Sequence, residues 1–192
     1  MKIKIFHIII LLLILPLRLP APDLPGTPDS FALLENIRTE ELRRDKAEYL
    51  SQYQGFKLKL ARLESSNNWK EYNRFGYIGK YQFGKSALAA TGYSHVTPEA
   101  FKEDPDIFPE HEQEKAMDHL LKLNESDMRA YVERYVGLTL LDSIRISRAG
   151  ILAAAHLSGP ANVKEFLDTN GARNPKDRMG TRLSDYLHHF SR

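Results

Sequence analysis

The sequence predicts a mainly helical domain of the α+β class, with a small irregular or hairpin lobe set among the helices. Two observations carry that expectation. Apolar residues recur at helical spacing along most of the chain after residue 30, and no long stretch alternates apolar and polar residues as a strand would. Residues 66–84 break the helical pattern: Asn67, Asn68, Asn73, Gly76, Gly79 and Gly84 alternate with Trp69, Tyr72, Phe75, Tyr77, Tyr81 and Phe83. Turn formers mixed with aromatics predict an irregular loop or small hairpin there.

Taken in chain order, Lys2 and Lys4 precede an apolar run from Ile8 to Leu17, the pattern of a secretory signal over residues 1–22. The run is short for a membrane span, which needs about 20 apolar residues. An uncleaved N-terminal anchor is the alternative, and either reading places the rest of the chain outside the cytoplasm. Four prolines in residues 20–29 predict a linker, assigned to residues 23–30. Ser30 then precedes a charged amphipathic stretch, residues 31–53, with Leu33, Leu34, Ile37, Leu42 and Leu50 among Glu, Arg and Lys pairs. Gly55 is expected to end it, which makes residues 31–54 an N-terminal helical extension and residues 55–192 the main domain.

Within that domain a short helix is expected from Phe56 to Ser65, on the spacing of Phe56, Leu60 and Leu63. Helical pattern returns at Lys85–Thr91, from Pro109 to Leu123, and at Asp127–Val136. Ser147 is placed to cap an almost wholly apolar helix, Ala149 to Leu157, which reads as the buried centre of the fold. Pro160 starts the next helix, which stops at Asn170-Gly171, and a last helix covers Arg182–Phe190.

Composition excludes several chemistries. The chain has 192 residues and a formal charge of +2. Removing residues 1–22 takes away Lys2, Lys4 and Arg18 and no acid, which leaves −1. Such a balance gives no charge-driven affinity for nucleic acid. Cysteine is absent, so thiol catalysis, zinc–thiolate sites and disulfides are excluded. His111-Glu112 begins like a zinc helix, but Lys115 stands where the second histidine belongs, and no metal or cofactor is expected. Gly79 to Ser86 fits the spacing of a phosphate loop. No apolar strand precedes it, so no nucleotide is expected either.

Glu64 is the candidate acid. It lies one turn beyond Leu60, on the same helix face, where burial would raise its pKa and suit it to proton donation. A capping or salt-bridged glutamate is the alternative. Ser65 follows it, and Gln82 closes the aromatic loop. Farther on stand Ala155-His156-Leu157-Ser158-Gly159-Pro160-Ala161-Asn162-Val163 and Thr181-Arg182 with Tyr186. His156 reads either as a satisfied core histidine or as a polar contact near Glu64.

This constellation resembles the lysozyme-like lytic transglycosylases of bacterial cell walls. Glu64-Ser65 with Gly79-Lys80-Tyr81-Gln82 stands for their first motif, a Glu-Ser followed by Gly-Leu-Met-Gln. Residues 155–163 stand for Ala-Tyr-Asn-Ala-Gly-Pro-Gly-Asn-Val, with His156-Leu157 replacing Tyr-Asn. Thr181-Arg182 and Tyr186 stand for the third motif. The resemblance spans residues 56 to about 190. It implies a lysozyme-like fold and peptidoglycan cleavage between muramic acid and glucosamine, with Glu64 as single acid and base and a 1,6-anhydro product. It implies that Ser65 and Tyr186 orient Glu64, and that Gln82, Tyr81 and His156 line the glycan. Trp69 and Tyr77 would offer stacking faces, with core packing as the alternative for such aromatics. A monomer in the bacterial periplasm or envelope is expected, with residues 31–54 as a candidate surface for an envelope partner. A muramidase and a silent glycan-binding module are the alternatives. Glu71, Asp142 and Asp185 are the acids considered for a second carboxylate, and none stands in a motif for that role.

Overall fold

The structure is a computed structural model that describes residues 28–141 and 143–191; the signal and most of the linker lie outside the described residues. The chain divides into two compact units, Met1–Tyr49 and Leu50–Arg192. In the first, residues 32–49 are helical and exposed, including Leu33, Leu34 and Leu42. The fold is mainly helical, as expected. No helix among the described residues is long and apolar enough to cross a membrane.

The first helix, α1, runs from Pro28 to Ser65 without a break. This corrects two expectations. The linker gives way to helix at Pro28, because proline is well accommodated in a first helical turn. Gly55 does not end the helix: it is exposed, and glycine within a helix costs only about 1 kcal/mol against alanine. Ser66 and Asn67, both at positive φ, stop it instead, and the Asn67 amide donates to the Ala61 carbonyl at 3.0 Å. Glu64 therefore sits in the last turn.

The segment 66–84 is the irregular lobe that the turn residues predict. Isolated antiparallel bridges join Tyr72 to Ile78 and Ile78 to Phe83. Its shape depends on Gln113, which is fully buried. The Gln113 Nε2 donates to the carbonyls of Trp69 and Phe108, each at 2.8 Å, and its Oε1 accepts from the Lys80 amide at 2.6 Å. Gly79, at φ +75°, passes so close that a Cβ there would meet the Gln113 amide.

Helices α2 (Lys85–Ala90) and α3 (Pro98–Glu103) follow, then a 3-10 turn, Pro105–Ile107. Helix α3 is too short to show a period in sequence, although Thr97 caps it and Pro98 opens it. Helix α4, Glu110–Tyr135, is continuous where the sequence suggested two pieces. A two-stranded antiparallel hairpin, β1 (Thr139–Leu140) with β2 (Ile144–Arg145), leads to α5 (Arg148–Ser158). Helices α6 (Pro160–Asp168) and α7 (Leu183–His189) complete the chain.

Helix α5 is the centre of the core, as its composition predicts. Gly150 to Ala155 are all buried, and α5 packs on α4, α6 and α7. The Ser147 hydroxyl caps it by accepting from the Gly150 amide at 2.9 Å. The close approach of α7 needs Gly150, since a Cβ there would stand 3.1 Å from the Leu187 carbonyl oxygen.

Candidate active site

A cleft of about 570 Å³ opens beside Glu64. Tyr77, Gln82 and Gly84 of the irregular lobe line it, as do residues 155–160 at the α5–α6 junction. The first and second sequence motifs therefore meet across one cavity.

Glu64 is the most buried carboxylate in it, with a side chain 7% exposed. Its Oε1 accepts from the Tyr186 hydroxyl at 2.6 Å and faces His156 Nε2 at 3.7 Å. Its Oε2 has no protein partner among the described residues and opens to the cleft. Burial dominates its electrostatics and pushes its pKa above the usual carboxylate range. His156 and the Tyr186 bond pull the other way, and the charge of Asp177 adds to the rise. A carboxyl with one oxygen held by a donor and the other open carries its proton on the open oxygen, toward the cleft. The Tyr186 hydroxyl, buried against this carboxylate, is itself driven well above its ordinary value.

The other expected site residues divide into two groups. Ser65 is buried, and its Oγ donates to the Lys80 carbonyl at 2.7 Å, so it holds the lobe rather than touching Glu64. Gln82 lines the cleft in a left-handed conformation, φ 50°. Its Nε2 donates to the Gly79 carbonyl at 3.0 Å, and its Oε1 accepts from Asn73 Nδ2 at 2.8 Å. His156 lines the cleft and its Nε2 lies 2.8 Å from the Tyr81 carbonyl. A carbonyl only accepts, so this nitrogen carries the hydrogen. Tyr77 also lines the cleft.

Tyr81 and Trp69 are not brought there. The Tyr81 ring is buried in the core, and its hydroxyl donates to Glu114 at 2.8 Å. Neighbours in an irregular loop point to opposite sides, and Tyr81 takes the inner one while Gln82 takes the outer. Trp69 is half-buried outside the cleft lining, with Lys70 Nζ 4.7 Å from its ring centroid.

Sequence reasoning missed four polar residues of the cleft: Asn124, Ser126, Asp127 and Asp177. The first three project from α4, where they read as ordinary polar positions of a solvated helix. Asp177 stands in the loop before α7, where its Oδ1 accepts from the amides of Met179 at 2.9 Å and Thr181 at 2.7 Å. The Thr181-Arg182 pair is the available signal, because Thr181 closes this turn. Of the acids considered from sequence, Asp185 is occupied by the Arg182 amide at 2.9 Å, and Glu71 accepts from Asn68 at 2.9 Å. Asp142 lies outside the described residues.

Among the described residues, no group of three His, Asp or Glu side chains is placed to hold a metal ion. No protein family, no curated protein and no solved structure matches this chain.

Proposed function

We propose that the chain is a lysozyme-like enzyme that cleaves the glycan strands of peptidoglycan, as a lytic transglycosylase of the bacterial envelope. The observation that carries this reading is the state of Glu64: buried, raised in pKa, gripped on one oxygen by Tyr186 and open on the other to a cleft. A carboxylic acid kept protonated near neutral pH is what glycosidic cleavage requires of its proton donor.

In this mechanism Glu64 Oε2 gives its proton to the bridging oxygen as the bond from the anomeric carbon to that oxygen breaks. The electron pair stays with the leaving sugar. The departing muramyl unit becomes cationic at the anomeric carbon and ring oxygen. Its own 6-hydroxyl then attacks that carbon, and the hydroxyl proton returns to Glu64. Tyr186 keeps the carboxylate in place between the two transfers and stabilises its charge while it is ionised. A muramidase, with water as the nucleophile, is the second reading. It is favoured by one observation, the second carboxylate, Asp177, in the same cleft.

The test is mass spectrometry of sacculi digested by the full chain, with Glu64→Gln as control. Anhydro-ended muropeptides that vanish in the variant support the lyase. Reducing-end products that vanish in the variant support the muramidase. Binding to sacculi with no product from either chain overturns both.

A further inference from the structure

Asp177 is the one feature of the cleft that a single-carboxylate mechanism leaves without a task. It is half-buried in the loop before α7, in a turn bounded by the antiparallel bridge of Lys176 with Arg182. Its backbone closes the turn: the Asp177 amide donates to the Thr181 carbonyl at 2.9 Å, and its carbonyl accepts from the Gly180 amide at 3.2 Å. Its side chain is fixed as well, because both amide donors to the carboxylate fall on Oδ1. The Oδ2 has no hydrogen bond or ion pair among the described residues, and no Lys or Arg lines the cleft. A loop aspartate whose only task was to shape its turn would have no need to line the cavity that holds the acid. This one does, with one oxygen immobilised and one uncommitted.

We infer that Asp177 is a second catalytic carboxylate of this cleft, placed to face the positive charge that develops on the sugar as the glycosidic bond breaks. The inference rests on the glycan-cleaving reading above. Asp177 exchanges no proton and forms no bond. It stays ionised while Glu64 passes its proton to the leaving oxygen, and its negative charge opposes the cation at the anomeric carbon and ring oxygen. A fixed charge aimed where charge develops needs no reorganisation during the reaction, and such groups typically contribute about 10²-fold or more to the rate. The same charge favours the protonated form of Glu64, so one residue serves both partners of the step. The role holds whether the 6-hydroxyl or water captures the cation.

The groups that face Glu64 are His156 from α5, Tyr186 from α7 and Asp177 from the loop. The test is Asp177→Asn in the full chain. The amide oxygen of asparagine still accepts from Met179 and Thr181, so the turn is retained, and an unchanged thermal midpoint verifies this. Two quantities are then read: kcat and KM on soluble glycan strands, and the titration of the Glu64 carboxyl carbon by NMR. The expected result is a kcat lowered about 10²-fold with KM nearly unchanged, and a Glu64 midpoint lower than in the wild-type chain. Wild-type kcat overturns the inference, and so does a fall in kcat with an unmoved midpoint, which would be a structural effect. The titration needs no substrate. A wild-type chain that cleaves nothing, with the midpoint still moved, overturns the proposed function and leaves the pairing of the two carboxylates standing.

Discussion

The Tyr186 hydroxyl donates a 2.6 Å hydrogen bond to Glu64 Oε1, joining the end of α1 to α7 across most of the domain. The bond favours the ionised carboxylate, against the dominant effect of burial. Tyr186→Phe removes it, so the Glu64 pKa rises further. Because Glu64 acts first as an acid, the alkaline limb of the pH–rate profile moves to higher pH. At the optimum, loss of orientation lowers kcat by about 10²-fold, and unfolding in denaturant registers a loss of about 1 kcal/mol. A profile that keeps its alkaline limb in place would mean that the hydroxyl does not act on Glu64.

Glu64 itself weakens the fold above its ordinary pKa of 4.5. Its folded value is raised by burial, so below 4.5 both folded and unfolded states hold the proton and no penalty exists. As pH rises past that point the unfolded state ionises first and is favoured, until the folded carboxyl also ionises. Glu64→Gln retains an acceptor for Tyr186 and carries no charge. The variant should match the wild type in urea unfolding near pH 4 and exceed it near pH 7, while losing activity at both.

Asn124, on the cleft wall of α4, buries its Nδ2 without a partner, and His156 Nδ1 lacks one too. Leaving a buried donor unsatisfied costs about 1–3 kcal/mol. Asn124→Leu should therefore stabilise the fold by about 1 kcal/mol. If the amide serves the ligand, KM for soluble glycan strands rises in the same variant. Calorimetry and steady-state kinetics on one preparation check both halves.

A separate ionic cluster lies behind the cleft. Lys57, almost fully buried, reaches Glu114 at 2.6 Å and Asp118 at 2.5 Å, and Tyr53 donates to Asp118 at 3.0 Å. Burial raises the Glu114 pKa, but bonds from Lys57, Lys80 and Tyr81 outweigh it and hold the carboxyl below its ordinary 4.5. A depressed carboxyl contributes stability above 4.5, and that contribution is lost as pH falls through the folded value. Lys57→Met should cost about 2 kcal/mol near pH 7, with a smaller cost toward pH 3. Equilibrium unfolding across that range measures it.

Helices with a strong period were legible in the sequence, and α5 with its Ser147 cap was read almost to the residue. The failures have physical causes. Gly55 reads as a breaker, yet an exposed helical glycine costs little inside a long helix. The hairpin of β1 and β2 has two residues per strand, too few for any alternation to show. At the candidate site, Glu64 was legible because its helix face could be counted from Leu60. Tyr81 was not, because inner and outer positions of an irregular loop have no period. Asp177 was invisible for the same reason: only the folded turn brings it to the cavity.

Gln113 holds three carbonyl or amide groups of the chain, at Trp69, Lys80 and Phe108, on one side-chain amide. Two of them lie in the lobe that walls the cleft, more than thirty residues earlier in the chain. That lobe therefore cannot lock into shape as it is made. During synthesis on the ribosome it must wait until α4 has emerged and formed its first turns. Assembly of the cleft is in this sense a late event, governed by a residue that never touches it.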